Sequence, residues 1–171
     1  SGCSDTIVQQ ILVWADPIAA FSSISQCYID SVLFSDLSTI ANGNIDQWQW
    51  SFGDTSFSID QNPSHFYSSS GNYEVTLFVI SSFGCWDSIT QTINVYPAPA
   101  ANFGNTTGCF GSATFFSDST TISSGNIVLY NWDFGDGNTS SLQNPLHTYL
   151  TEGTYDVQLI AVSDSGCSDT I

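Results

Sequence analysis

The chain has 171 residues, enough for one or two domains with cores of their own, and it carries 16 acidic residues with no lysine or arginine. Charged residues make up 9% and are all of one sign, so no Lys or Arg ion pair can form and stability must rest on apolar burial, backbone hydrogen bonds and covalent links. The same composition excludes nucleic-acid binding, because neutralising phosphate needs cationic side chains, and it excludes attraction to anionic lipid. No apolar run approaches the roughly 20 residues that cross a bilayer as a helix, so membrane insertion is not expected.

One offset organises the sequence. Cys3, Cys85 and Cys167 are spaced by 82, and the same spacing relates Pro17 to Pro99, Phe21 to Phe103, Cys27 to Cys109, Trp50 to Trp132 and His65 to His147. Aligning 17–89 with 99–171 without gaps gives 31 identities in 73 positions. A period this long suits a small self-contained domain rather than a solenoid unit. Residues 1–16 match the end of the first repeat: Gly2-Cys3-x-Asp5 through Pro17 aligns with Gly84-Cys85-x-Asp87 through Pro99. The expected organisation is therefore the last strand of a preceding repeat (or a donated strand) at 1–16, one domain at 17–98, and a second at 99–171 without its last strand. Ser1–Ile7 is identical to Ser165–Ile171, while the middle copy reads Phe83-Gly-Cys-Trp-Asp-Ser-Ile89. This higher period of 164 reads as a window on a long array. Strand donation, with Ile7 to Trp14 completing a neighbouring copy, is the rival reading.

In chain order the predicted elements are all strands. Tyr73–Ile80, Ile89–Tyr96 and Ala113–Ser117 are β-branched, aromatic or alternating, and Gly, Asn, Ser and Pro separate them. No window of ten residues carries a helical period. Strands at this spacing, two cysteines per domain and a tryptophan between them predict a sandwich of about seven strands per repeat. Each repeat carries Trp-x-Phe-Gly-Asp (50–54, 132–136), then Asn-Pro-x-His-x-Tyr (62–67, 144–149), then Gly-x-Tyr-x-Val-x-Leu (71–77, 153–159). Trp and Phe two apart share one strand face, and Gly-Asp supplies a tight turn.

These motifs resemble the PKD domain, an immunoglobulin-like β-sandwich, and the resemblance covers essentially the whole chain. The cysteines near the first strand and in the Gly-Cys-x-Asp turn resemble PKD arrays of secreted Bacteroidetes proteins. The resemblance implies a non-catalytic spacer or interaction module. The chain is expected to be a structural segment of a long extracellular filament or adhesin stalk that associates with itself, and extracellular polysaccharide is a further candidate partner. The alternative is a carbohydrate- or protein-binding accessory module of a secreted polysaccharide-degrading enzyme. An array without Lys or Arg offers trypsin-like proteases no cleavage site, which suits an extracellular location.

Several residues are singled out as sites. Disulfides are expected at Cys27–Cys85 and Cys109–Cys167, with Cys3 paired to a preceding repeat; each closes a 58-residue span and implies an oxidising compartment. CxxC spacing and clustered histidines, the marks of a zinc site, are absent from the sequence. His65 and His147 sit beside core aromatics and read as structural. Asp133 and Asp136, with Asp54, are weak calcium candidates beside the turn-capping role such residues usually have. No other cofactor is expected. Asp-Ser/Thr-apolar triplets mark Thr6, Ser31, Ser88 and Thr170, with Ser119 a looser match, as possible O-glycosylation sites; Asn105-Thr-Thr and Asn138-Thr-Ser are N-linked acceptors where a host has that machinery. The repeats also differ: Ile24, Ile29, Phe57, Ile59, Phe66, Phe83 and Trp86 face Thr106, Gly111, Thr139, Ser141, Thr148, Ser165 and Ser168 at the equivalent positions. Framework residues common to both copies fill the core, so this surplus should lie outside it, and Phe57, Ile59, Phe66, Phe83 and Trp86 are predicted to form an interface.

Overall fold

The computed structural model describes residues 2–24, 27–106 and 108–171, and every regular element among them is a β-strand. The first repeat supplies β1 (Phe21–Ser23), β2 (Ser31–Asp36), β3 (Ile45–Ser51), β4 (Phe57–Ser58), β5 (Ser64–Phe66), β6 (Gly71–Ser81) and β7 (Trp86–Val95). The second supplies β8 (Phe103–Asn105), β9 (Ala113–Asp118), β10 (Ile127–Asp133), β11 (Thr139–Ser140), β12 (Leu146–Thr148), β13 (Gln158–Ser163) and β14 (Ser168–Thr170). The sheets repeat one plan: β4-β3-β6-β7 with β1-β2-β5, and β11-β10-β13-β14 with β12-β9-β8. This is the expected all-β immunoglobulin-like architecture, with seven strands in each repeat among the described residues.

By packing, the chain divides into two compact units. One comprises Ser1–Ser23, Leu33–Pro63 and Glu74–Thr92; the other comprises Ile24–Val32, Ser64–Tyr73 and Ile93–Ile171. Part of the first sequence repeat therefore folds within the second unit. Residues 2–16 form no strand and are almost wholly exposed.

The first unit is built on alternation. In β3 and β6, Trp50 lies opposite Leu77 and Trp48 opposite Val79, so the inward residues of the two strands meet on one face. Trp50 packs edge-on against Phe21 at 5.1 Å and tilts against Phe34 at 5.5 Å, and Phe34 meets Phe52 at 5.3 Å. Each such pair contributes about 0.5–1.5 kcal/mol beyond its area burial. The indole does not lose its polar atom on burial: Trp50 Nε1 donates to the Asp60 carbonyl at 2.9 Å, pinning the loop after β4. The second unit repeats this with Trp132 against Phe103 and Phe116, and with Trp132 Nε1 donating to the Leu142 carbonyl at 2.9 Å.

The turn after Phe52 and Phe134 requires glycine. Gly53 and Gly135 have φ of +82° and +77°, and a Cβ there would meet the backbone oxygens of Glu74 and Asp156 at 2.8 and 2.5 Å. Two residues on, the copies diverge. Gly137 takes φ +88° at no steric cost, whereas its counterpart Thr55 is held at φ +75°, a left-handed conformation that a β-branched residue resists. Replacing Thr55 with Gly should therefore raise the chain's stability by about 1 kcal/mol, and Gly137→Thr should lower it by a similar amount. Chemical denaturation of the two variants checks this, with opposite signs expected.

Candidate functional site

With no lysine or arginine available, the carboxylates are satisfied by neutral donors. Asp36 Oδ1 accepts the Ser38 N–H at 2.9 Å, while Oδ2 accepts Trp48 Nε1–H at 2.7 Å and the Gln61 amide at 3.1 Å. Burial pushes this carboxyl up, but the bonds from Ser38, Gln61 and Trp48 outweigh it and hold the group below the usual carboxylate range. Asp118 repeats the hub with Thr120 and Gln143 at 2.9 and 3.0 Å, and it too is held low. The Asn of each Asn-Pro motif adds a backbone clamp: Asn62 and Asn144 accept the Asp36 and Asp118 N–H groups, both at 2.9 Å. These hubs join loop to strand and hold no reactive group.

The remaining polar motif residues are structural as well. The His147 ring stacks on Phe134 at 4.2 Å, and its Nε2 lies 2.8 Å from Asp136 Oδ2. Asp136 Oδ1 accepts the Asn138 N–H and Asp133 Oδ1 accepts the Gly135 N–H, so both calcium candidates cap the turn. In the first repeat Asp54 Oδ1 does the same for the Ser56 N–H at 3.1 Å. Among the described residues no three His, Cys, Asp or Glu side chains converge as a metal site.

The cysteines pair differently from the expectation. Cys27 is bonded to Cys167, 140 residues away, and Cys85, Cys109 and Cys3 carry free thiols. The expected Cys27–Cys85 and Cys109–Cys167 pairs are therefore corrected, for a geometric reason. Cys85 sits in the hairpin before β7, whereas Cys27 bridges Tyr96, just past that strand's other end. Within the second unit the Cα atoms of Cys27 and Cys167 lie 5.6 Å apart, inside the roughly 7 Å reach of a disulfide, and because each sulfur forms one such bond this pair precludes both expected ones.

The surplus apolar residues of the first repeat all stand exposed, and they divide between two sheets. Phe57 and Trp86 share the outer face of the β4-β3-β6-β7 sheet: Phe57 lies opposite Ser51 on the side away from Trp50, and Trp86 (61% exposed) stacks on outward-facing Phe78 at 5.1 Å. Phe66 (53% exposed) stands on β5 in the other sheet, and Ile59 follows β4. Phe83 is engaged locally, its ring stacked on Trp14 at 3.5 Å and 3°. Sequence comparison found the exposed set but could not group it by face, because short strands switch between sheets.

Thr6, Ser31, Ser88, Ser119 and Thr170 are all exposed. Of these, Thr6, Ser88 and Thr170 recur at one repeat position, and the aspartate before the last two has a structural task that sequence reading missed. Asp87 Oδ2 accepts the Ala19 N–H and Asp169 Oδ2 the Ala101 N–H, both at 2.8 Å, so this aspartate fastens the first residues of each repeat. Thr107, the end of the Asn105 acceptor triplet, lies outside the described residues.

Comparison with known proteins fits this architecture. The PKD domain family profile matches residues 14–97 and 94–171. The chain belongs to the PKD domain family. Its two PKD domains are similar to parts of much larger proteins. The pre-pro-metalloprotease PrtV of Vibrio cholerae is 30% identical over 146 residues, 82% of this chain and 16% of PrtV. A microbial collagenase of Vibrio alginolyticus is 38% identical over 106 residues, 58% of this chain and 13% of the collagenase. The crystal structure of the PKD1 domain from Vibrio cholerae PrtV superposes with a TM-score of 0.45 at 34% identity, covering 47% of this chain and 96% of that domain. PKD domains are non-catalytic modules, and the family match extends over both repeats of this chain.

Two predictions follow from the site geometry. Peptide mapping of the unreduced protein, cut with chymotrypsin because trypsin has no site, should recover Cys27 linked to Cys167. Closing that loop is worth about 5 kcal/mol by chain entropy, so Cys27→Ser should shift the denaturation midpoint down markedly. Separately, Asp36 and Asp118 have folded pKa values below their unfolded ones. Their stabilisation is present above the unfolded value, about 3.9, and is lost as pH falls through the folded pKa. Stability should therefore decline in acid below about pH 4–5, and Asp36→Asn with Asp118→Asn should flatten that decline in acid titrations followed by fluorescence.

Proposed function

We propose that the chain is a structural segment of an extracellular filament or adhesin stalk whose copies associate laterally through apolar side chains of the first PKD domain. One observation carries the reading: the outer sheet face of that domain presents Phe57, Phe78 and Trp86 where the second domain has Thr139, Ile160 and Ser168. Aromatic rings left in water on one of two otherwise matched domains fit a partner surface. The disulfide fits an oxidising, extracellular compartment. Net charge of −16 keeps copies apart except where apolar contact overcomes repulsion, so association should strengthen with salt.

A second reading is favoured by the relatives, which include a metalloprotease and collagenases. There the pair of PKD domains would be an accessory module of a secreted degradative enzyme, with the same aromatics stacking on polysaccharide or protein substrate.

Substituting Phe57 and Trp86 together by Ser should abolish lateral association in sedimentation and light scattering. Because both are exposed, folding stability should change by less than about 0.5 kcal/mol per site. Assembly that persists in the double variant overturns the filament reading. Binding of the unmodified chain to a polysaccharide or collagen, lost in the same variant, supports the accessory-module reading.

A further inference from the structure

The two repeats differ beside the turn that follows their long central strand. In the first unit, Phe83 of the β6–β7 turn lays its ring on Trp14 at 3.5 Å and 3°. The same ring covers Gly43, where a Cβ would meet Phe83 Cε2 at 2.6 Å. An aromatic ring therefore fills this place from within the chain. In the second repeat the 82-shifted residues are Tyr96 for Trp14, Gly125 for Gly43, Asp164 for Ser82 and Ser165 for Phe83, and all four belong to the second unit. The ring of Phe83 has no counterpart there. Tyr96, Pro97, Ser124, Gly125, Asp164 and Ser165 instead line a cleft of about 550 Å³. A second hollow of about 380 Å³ in the same unit shares Tyr96, Pro97 and Ser124 with it and adds Ser70, Asn72 and Asn94. The cleft lies at the turn before β14, whose pairing with β13 runs away from it, from Ser168–Val162 to Thr170–Ile160.

The chemistry of the cleft selects its occupant. Tyr96 is half-buried and enters no ring stack among the described residues, so its position is fixed while its ring lacks an aromatic partner. Asp164 Oδ2 accepts the Asn126 N–H at 3.1 Å and the Asn126 Nδ2–H at 3.4 Å, which orients the carboxylate. Its Oδ1 lies over Gly125, 2.7 Å from where a Cβ would stand, and accepts no hydrogen bond among the described residues. The Ser165 hydroxyl is held at 2.9 Å from that of Ser163. Ser124, Asn72 and Asn94 are exposed.

A flat apolar face edged by a carboxylate oxygen, hydroxyls and amides matches a ring that is apolar on its face and hydroxylated on its rim. That is a pyranose: its C–H groups pack on the tyrosine, and its hydroxyls donate to the carboxylate and to amide oxygens. An aromatic side chain of a protein partner would cover the same polar groups without satisfying them. The chain has a net charge of −16 and no lysine or arginine, so an acidic sugar is repelled and a neutral one is admitted.

We propose that this cleft binds a neutral oligosaccharide, with one pyranose on Tyr96 beside Asp164 and the next ring in the adjoining hollow beside Asn72 and Asn94. The site goes beyond association through the outer sheet face, since it uses none of Phe57, Phe78 and Trp86, and it serves a filament segment and an accessory module alike.

The test is a backbone-amide NMR titration of the isotope-labelled chain with neutral tetrasaccharides of glucose, mannose, galactose and N-acetylglucosamine at millimolar concentration. At least one should move the resonances of Gly125, Ser165 and Asn94, while an oligogalacturonate should move none of them. Ser165→Phe restores the ring that Phe83 supplies in the first repeat, and it should plug the cleft and weaken binding more than about tenfold. Tyr96→Leu should weaken binding comparably. So should Asp164→Asn, an exposed position that serves where Ser165→Phe disturbs the turn. Phe57→Ser with Trp86→Ser should leave binding unchanged, so the outer-face reading and this one fail separately. The proposal is overturned if no neutral tetrasaccharide moves those resonances, or if binding survives both Ser165→Phe and Asp164→Asn in folded protein. It is overturned equally if a phenylalanine-containing peptide binds there and the sugars do not.

Discussion

Sixteen carboxylates without a lysine or arginine to answer them set the terms for this fold. Each buried or half-buried carboxylate has to be satisfied by a backbone N–H, an indole, an amide or a hydroxyl. The result is a set of short, directed contacts in place of ion pairs. Asp36 and Asp118 gather a loop, a strand and a side-chain donor around one carboxyl. Asp87 and Asp169 tie down the start of each domain. Such bonds are charge-assisted on the acceptor side and do not weaken with salt as surface ion pairs do.

The aromatic core sits inside this polar frame. Trp50 and Trp132 occupy the centre of their domains because the ring fills the space between the sheets and the indole N–H reaches a loop carbonyl. Trp-x-Phe-Gly-Asp therefore joins three tasks: core filling, a left-handed turn and a cap. Where a second carboxylate at Asp133 suggested chemistry, the geometry shows a turn. Departures from the motif in the first repeat fall outside the core, and Thr55 shows that the turn tolerates a strained residue when its surroundings hold it.

Identity between the copies describes the scaffold, and difference between them describes the surface. Positions shared by both repeats are nearly all buried or hydrogen-bonded. Phe57, Ile59, Phe66, Phe83 and Trp86, which change to small polar residues in the second copy, are exposed, and those on the outer sheet face of the first domain are where association would act.

Much of this was legible in the sequence. The all-β class, the seven-strand plan, the two-domain period, the core aromatics and the structural role of histidine follow from side-chain periodicity and turn chemistry, which act over a few residues and repeat with the chain. The exposed apolar set was legible too, because two copies of one fold serve as controls for each other. Disulfide pairing was not legible. Spacing along the chain does not say which cysteines the fold brings together, and Cys27 meets Cys167 across 140 residues. The division of the apolar residues between two sheets and the aspartates that fasten each domain's first residues likewise depend on contacts between segments distant in sequence. The repeating unit and its core are readable from residue order, since local pattern sets them; which cysteines meet and how the exposed apolar residues divide between sheets was settled by the fold, since both depend on which strands come to lie side by side.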